Sequence, residues 1–406
     1  MPAARLNPFR VLVAHRNFRI FWTGQTLSLI GTWMQSVAQG WLALQLSDDA
    51  LVVGLVAAAA SLPVLLLSLH AGVLADRVSK LRLVTLAQAL MLLQASALWW
   101  LVASGRVTVG WLVALATVSG ILQAVDVPAR QALVVELVGR EDLLDAIALN
   151  STGFNLARIV GPSIAAVIIG QAGLAWCFAV NALSYVAVLA GLLRVRLPAH
   201  VAPRVALSPS EGLREGLRYA RATPTVATLL RLTGVYSVFG LPYLTLMPVF
   251  ARDVLGLGAS GYGTLLSFVG VGAIAGALSL AAVGSRVRRG RLLAASAIAF
   301  ATLLVAFSFV RAPGLAAVVL LLCGLTMILT NAITNGLLQT TSPDEYRGRV
   351  MSMYALLFIG LSPAGSVIGG AVARWFGVAV AIGGGAAVVL VFALVTLVRH
   401  PEIRRL

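Results

Sequence analysis

Gly72-Val-Leu-Ala-Asp76-Arg77-Val-Ser-Lys80-Leu-Arg82 is a knot of charge between two long apolar runs. It holds the only lysine of the chain and one of the two aspartates between residues 50 and 130. Charges this close together, flanked by segments that carry almost none, fit a loop at a membrane surface, because inside hydrocarbon each would lose its solvation. The stretch therefore marks the end of one membrane span near residue 75 and the start of the next near residue 82.

The composition agrees. Of 406 residues, 60% are hydrophobic and 11% charged, with a mean hydropathy of +0.96, outside the range of water-soluble domains. Working outward from the knot, the apolar runs are each about 20 residues or longer, the length a helix needs to cross hydrocarbon, whereas barrel strands would alternate over about 10 residues. Twelve runs emerge, at 18–46, 51–75, 82–103, 108–128, 142–170, 174–193, 224–251, 258–284, 291–310, 313–341, 347–373 and 376–398. Met1 to Arg19 carries Arg5, Arg10, Arg16 and Arg19 and no cleavable leader pattern, so the N-terminus is expected to be retained and cytoplasmic. Cys177 and Cys323 fall inside apolar runs, with no disulfide or metal-ligand spacing. The net charge of +16 has no soluble domain to present it to nucleic acid and reads instead as membrane topology.

Threading twelve spans from a cytoplasmic N-terminus leaves Arg106, Arg252, Arg311 and Arg374 in external loops and Arg158 within a span; the rest of the 30 Lys and Arg fall at or near the cytoplasmic side. The positive-inside rule requires such an asymmetry, and a shift by one span destroys it. The longest break, 194–223, divides the spans six and six into expected units 1–193 and 224–406. It contains Pro198 and Pro203, and then Ser208-Pro209-Ser210-Glu211, a helix start leading into Leu213, Leu217 and Tyr219 among charges. That predicts an amphipathic surface helix. The halves echo each other: Arg77-Val-Ser-Lys80-Leu-Arg82-Leu recurs as Arg286-Val-Arg-Arg289-Gly-Arg291-Leu, and Gly161-Pro162 as Ser362-Pro363. Duplicated six-helix units are common in secondary transporters.

Six plus six helices, a charged middle loop and Gly72-x-x-x-Asp76-Arg77 between spans 2 and 3 resemble the major facilitator superfamily over essentially the whole chain. The finer motifs Asp126-Val-Pro128-Ala-Arg130, Ala148-Leu-Asn150 and Asn155-Leu-Ala-Arg158-Ile-Val-Gly161-Pro162 resemble the bacterial subfamily of the enterobactin exporter and related drug and macrolide efflux proteins. The resemblance implies an all-α membrane protein of two pseudo-symmetric six-helix bundles in the bacterial cytoplasmic membrane, with both termini inside. It also implies that Gly72, Asp76, Arg77, Lys80 and Arg82 form a conformational latch toward the second half, near Arg347-Gly348-Arg349. In the second copy Ser285 stands where Asp76 does, so the halves are expected to be unequal.

Several residues could carry function. In span 1, Gln25, Ser28, Thr32, Gln35 and Gln39 recur at intervals of 3, 4, 3 and 4, one continuous helix face. In span 10, Asn331, Asn335 and Gln339 repeat the pattern. Lipid satisfies none of these amides, so both faces must look inward, either lining a substrate cavity or bonding between helices. By the family resemblance spans 1, 4, 7 and 10 line the central cavity, and Trp33, Tyr236, Tyr354 and Phe358 offer it flat apolar surfaces, with Asn150, Asn155 and Arg158 as further polar contacts. Gly161 and Pro162 read as a helix bend, because proline removes a backbone bond. Asp126, deep in span 4, is either a coupling carboxylate or the partner of Arg130, Arg77 or Lys80; Glu136 is the reserve coupling acid.

An ATP-driven or enzymatic reading fails on the residues. Lys80 is followed by Leu81, so no Gly-x-x-x-x-Gly-Lys-Ser/Thr loop exists, and no His-Glu-x-x-His or cysteine cluster is present. Internal duplication fits alternating access better than a fixed pore. The expectation is a monomeric secondary transporter without cofactor or metal. It would exchange protons for amphipathic small molecules, siderophore or drug-like, across the lipid bilayer; a lipid-like substrate or import is the alternative.

Overall fold

The computed structural model describes residues 9–139, 141–195, 209–283 and 287–402; within these, only the backbone of Gly72, Asp76 and Arg77 is described, and Ser208, Ser285 and Arg286 lie outside the described residues altogether. Helices run through all of it, with no strand among the described residues. In chain order they are α1 (Arg10–Ala14), α2 (Arg16–Ser47), α3 (Ala50–Arg77), α4 (Lys80–Ala103), α5 (Val109–Val138), α6 (Leu143–Ala172), α7 (Leu174–Leu192) and α8 (Pro209–Ala222). Then come α9 (Pro224–Val235), a π turn at Tyr236–Gly240, α10 (Pro242–Asp253), α11 (Ala259–Val283), α12 (Arg289–Ser308), α13 (Pro313–Thr341), α14 (Asp344–Gly360), α15 (Ser362–Phe376) and α16 (Val378–Arg399).

Eleven stretches are long and apolar enough to cross a membrane, among the described residues. α2, the expected first span, is 32 residues long but is not one of the eleven; Arg16, Asn17, Arg19 and the polar stripe dilute its apolar content. Two expected spans are each built from two helices. Span 7 changes pitch at the π turn and restarts at Pro242, and span 11 restarts with Pro363 in the first turn of α15. Proline lacks the amide that would bond back into the preceding turn, so a new helix can start there at little cost. The linker helix forms as α8, with Glu215 paired to Arg349 of α14 at 2.8 Å and Tyr219 stacked on Tyr346 at 4.4 Å.

Contacts sort the chain into two compact units, residues 1–42 with 62–205 and residues 43–61 with 206–406. The first has a core of Val11, Phe18, Phe21, Leu133, Val134, Leu149 and Val188, and a smaller one of Met91, Ala95, Ala182 and Tyr185. In the second, Val226, Leu229, Leu293, Ile333, Leu338 and Val350 pack together. There α11 and α13 meet backbone to backbone: a Cβ on Gly272 would lie 1.8 Å from the Leu321 carbonyl oxygen, and one on Gly324 would lie 2.0 Å from that of Val269. Without lipid-excluding hydrophobic force between spans, such close approach is a main source of helix adhesion.

Candidate functional site

The polar stripe of α2 divides into two kinds of amide. Gln35 is buried and fully occupied: its Oε1 accepts from Asn181 Nδ2 of α7 at 2.7 Å and its Nε2 donates to Gln94 Oε1 of α4 at 3.4 Å. Gln94 in turn donates to the Leu115 carbonyl of α5, and the Thr32 hydroxyl meets that of Tyr185 at 3.2 Å. One network thus ties α2, α4, α5 and α7. Gln25 and Gln39 are also buried, 7% and 8% exposed, but Gln25 Oε1 and Gln39 Nε2 meet no hydrogen-bond partner among the described residues. Above and below the anchored amide, the stripe therefore holds two unfilled bonding positions.

Trp33 packs edge-on against Phe154 of α6, ring centres 5.8 Å apart, and α6 reaches it through Gly161, where a Cβ would stand 2.6 Å from that of Trp33. Pro162 lies inside α6 without ending it. Arg158, one turn earlier, is half-buried, as are Asn150 and Asn155; the Asn155 amide donates to the Ser151 carbonyl of its own helix at 2.8 Å.

Asp126 is almost wholly buried in α5. Its Oδ2 lies 2.6 Å from Arg130 Nε, one turn on, and its Oδ1 accepts from Gln88 Nε2 of α4 at 3.1 Å. The Arg130 contact is close but poorly aligned as a hydrogen bond, so charge does most of the pairing. Gln88 Oε1 is buried without a partner. Of the three basic residues the sequence offered to Asp126, Arg130 takes it; Lys80 instead pairs with Glu136 at 2.8 Å, joining the start of α4 to the end of α5. Two residues expected in separate roles, latch and reserve coupling acid, thus neutralise each other. Asp76 and Arg77 sit at the C-terminal end of α3. Arg347 donates to the Gln339 carbonyl at 3.0 Å.

In the second unit the expected residues of span 10 and span 11 converge. Gln339 donates to Asn335 at 2.6 Å, Asn335 shares a hydrogen bond with Tyr354, and Tyr354 stacks on Phe358 at 5.7 Å. Tyr236 opens the π turn and packs on Phe300 at 4.9 Å. Asn331 is half-buried one turn before Asn335.

Sequence reasoning missed Gln88, Gln94, Asn181 and Tyr185, isolated polar residues on spans with no stripe to advertise them. It also missed Asp142, which accepts from Arg10 at 3.1 Å and meets His15 Nε2 at 2.8 Å, fastening α1 at the head of α6. The His15 hydrogen bond, opposed by a smaller desolvation and helped by Arg10, holds the Asp142 carboxyl below the usual carboxylate range.

Residues 3–405 match the model of the transmembrane secretion effector family. The chain is 25% identical over 371 residues to the staphyloferrin A transporter of Staphylococcus aureus (89% of this chain, 90% of that one), and 28% identical over 356 residues to the multidrug efflux pump Tap of Mycolicibacterium fortuitum (84% and 86%). It is 27% identical over 288 residues to the enterobactin exporter EntS of Escherichia coli (70% and 68%). Its fold matches a peptide transporter with a TM-score of 0.76 at 13% identity (98% and 99%) and a bacterial homologue of ferroportin at 0.72 and 15% (96% and 98%). With a helical membrane fold and a family match from end to end, the chain belongs to the transmembrane secretion effector family of major facilitator transporters.

Proposed function

We propose that the protein exports amphipathic small molecules, siderophores or drug-like compounds, from the bacterial cytoplasm by alternating access in exchange for protons, with both termini inside and with the chain working as a monomer. The observation that carries the substrate reading is the pair of unfilled amides on α2. A buried amide without a partner costs about 1–3 kcal/mol, a penalty that a polar group of a bound solute removes. Gln25 and Gln39 offer one acceptor and one donor to such a solute; Thr32 and Trp33 of α2 and Asn150, Asn155 and Arg158 of α6 are the further contacts proposed in this unit. Within the second unit, taken by itself, Tyr236, Asn331, Asn335, Tyr354 and Phe358 are the proposed substrate contacts. The named relatives, a siderophore transporter, a siderophore exporter and a drug pump, favour this substrate class.

Protons enter the proposal through Asp126. Protonation removes the charge that Arg130 balances, and a half-buried Arg left without its carboxylate is costly enough to shift a conformational equilibrium. Glu136, paired with Lys80, is the second acid in reach of the cytoplasm. The Gly72–Arg82 stretch serves as latch in this scheme, with the Lys80–Glu136 pair seating its last turn on α5.

Inverted vesicles carrying the protein, given an acid-inside pH gradient, test the reading with ethidium and a catecholate siderophore as probes. Accumulation of either that an uncoupler abolishes is expected. Accumulation that survives the uncoupler overturns proton exchange, and accumulation of neither probe overturns the substrate class.

A further inference from the structure

α4 and α5 run antiparallel and are joined by three polar rungs. Lys80 pairs with Glu136, Gln88 with Asp126 and Gln94 with the Leu115 carbonyl, so the numbers rise on α4 as they fall on α5. The outer rungs fix both backbones, which confines any change at the middle one to side chains. Gln88 and Asp126 are each 1% exposed. Gln88 Nε2 donates to Asp126 Oδ1 at 3.1 Å, while Gln88 Oε1, at the other end of the same amide, is buried without a hydrogen-bond partner.

The charged and titratable groups around this pair are Arg130 on α5 itself and Tyr185 on α7. Arg130 Nε lies 2.6 Å from Asp126 Oδ2, and Tyr185 is within electrostatic reach of both. A guanidinium carries donors only and stays charged, so Oδ2 has no acceptor beside it for an O–H group. A proton arriving at Asp126 is therefore best held on Oδ1, which faces Gln88. There the present amide orientation fails, because Nε2 offers a hydrogen where the new O–H needs an acceptor. A half turn about the last side-chain bond exchanges Oε1 for Nε2 in nearly the same space. We infer that Gln88 is the positioning residue for proton exchange at Asp126: its amide donates to the ionised carboxylate and, turned over, accepts from the protonated one. The step balances. A proton from water bonds to Oδ1, the Nε2–H···Oδ1 hydrogen bond breaks, Oδ1–H···Oε1 replaces it, and the reverse sequence returns the proton to water. The unpaired end of the amide is a carbonyl in one state and an N–H group in the other, so the turn adds no unmet group. The inference rests on Asp126 as the coupling acid proposed above.

Infrared difference spectra of the full chain in liposomes, acidic minus alkaline, read both groups directly. Expected are a protonated carboxyl band that is lost in Asp126→Asn and a shifted glutamine amide band that is lost in Asp126→Asn and in Gln88→Met. Methionine keeps the unbranched length of Gln88 and removes both ends of its amide. Gln88→Glu, which keeps the shape, is the second variant and should lack the amide band as well. In inverted vesicles with ethidium, Gln88→Met should slow gradient-driven accumulation per folded transporter about five- to thirtyfold with the KM for ethidium unchanged. Loss of packing alone lowers the amount of folded protein and not this rate. A carboxyl band without the amide band, an amide band that survives both Gln88 variants, or an unchanged rate in Gln88→Met overturns the role of Gln88 and leaves Asp126 as the coupling acid. Absence of the Asp126 carboxyl band over the pH range in which the gradient drives transport overturns both.

Discussion

At the scale of single residues, amides that look alike in the sequence differ in what surrounds them. Gln35→Leu strips partners from Asn181 and Gln94, both buried, and should cost about 1–3 kcal/mol, read as a lower melting temperature in detergent. Gln25→Leu removes an oxygen with no partner and should leave the melting temperature unchanged or raised while weakening transport. The stripe itself was legible from its spacing. Which member would be occupied was not, because Asn181 lies 146 residues from Gln35 and shows no periodicity of its own. Asp126 makes a sharper case. Asp126→Asn leaves the half-buried Arg130 against a neutral side chain and should cost up to about 3–5 kcal/mol, partly recovered in Asp126→Asn with Arg130→Gln. If the double variant transports with unchanged dependence on the pH gradient, Asp126 is a structural ion-pair partner and not the coupling acid.

Elements are fastened by contacts that local sequence hides in varying degree. The prolines and the Ser208-Pro209 helix start made α8 legible in advance, whereas spans 7 and 11 read as single runs and their restarts at Pro242 and Pro363 were not expected. The short helix α1 was not, since Val11 and Leu12 become core residues only through α5 and α6, and its fastening acid lies 132 residues away. Because the Asp142 carboxyl sits below its ordinary value of about 3.9, its contribution to docking α1 is present above that value and lost only as pH falls through the lowered one. Proteolysis near Arg10 should therefore stay slow from pH 8 to pH 5, and Asp142→Asn should make it fast over that whole range. Glycine contacts are equally silent in sequence: Gly272 and Gly314 look alike, yet one abuts the Leu321 carbonyl and the other faces open space. Gly272→Ala should cost about 1–3 kcal/mol or more through overpacking, against at most a few tenths for Gly314→Ala, as measured by thermal unfolding of the purified protein.

For the whole molecule, the two units bury different chemistry. Among the described residues, the buried polar side chains of the first are Gln25, Ser28, Gln35, Gln39, Lys80, Gln88, Gln94, Asp126 and Asn181, nearly all amides or charges. Those of the second, its buried tyrosines Tyr236, Tyr243 and Tyr262 aside, are serines and threonines, from Thr228 to Thr396. The distinction is physical. A helical hydroxyl satisfies itself on the preceding turn, as Thr228, Thr233, Thr326 and Thr330 do, and asks nothing of a neighbour. A buried amide or carboxylate has no such local outlet and must be met by another helix, by water or by a solute. The twofold repeat legible in the sequence therefore preserved the helices but not their interiors, as Ser285 opposite Asp76 already hinted. Among the described residues, the buried charged side chains, Lys80 and Asp126, both belong to the first unit. Replacing buried hydroxyls of the second unit, Thr330→Val and Ser296→Ala together, should alter stability by no more than about 1–2 kcal/mol, since two self-satisfied hydroxyls and one bond between them are lost. The same pair should leave the dependence of transport on the pH gradient untouched. A changed gradient dependence in that double variant, measured in inverted vesicles beside Asp126→Asn, would mean that proton movement runs through the second unit and that the polar interior of the first serves packing alone.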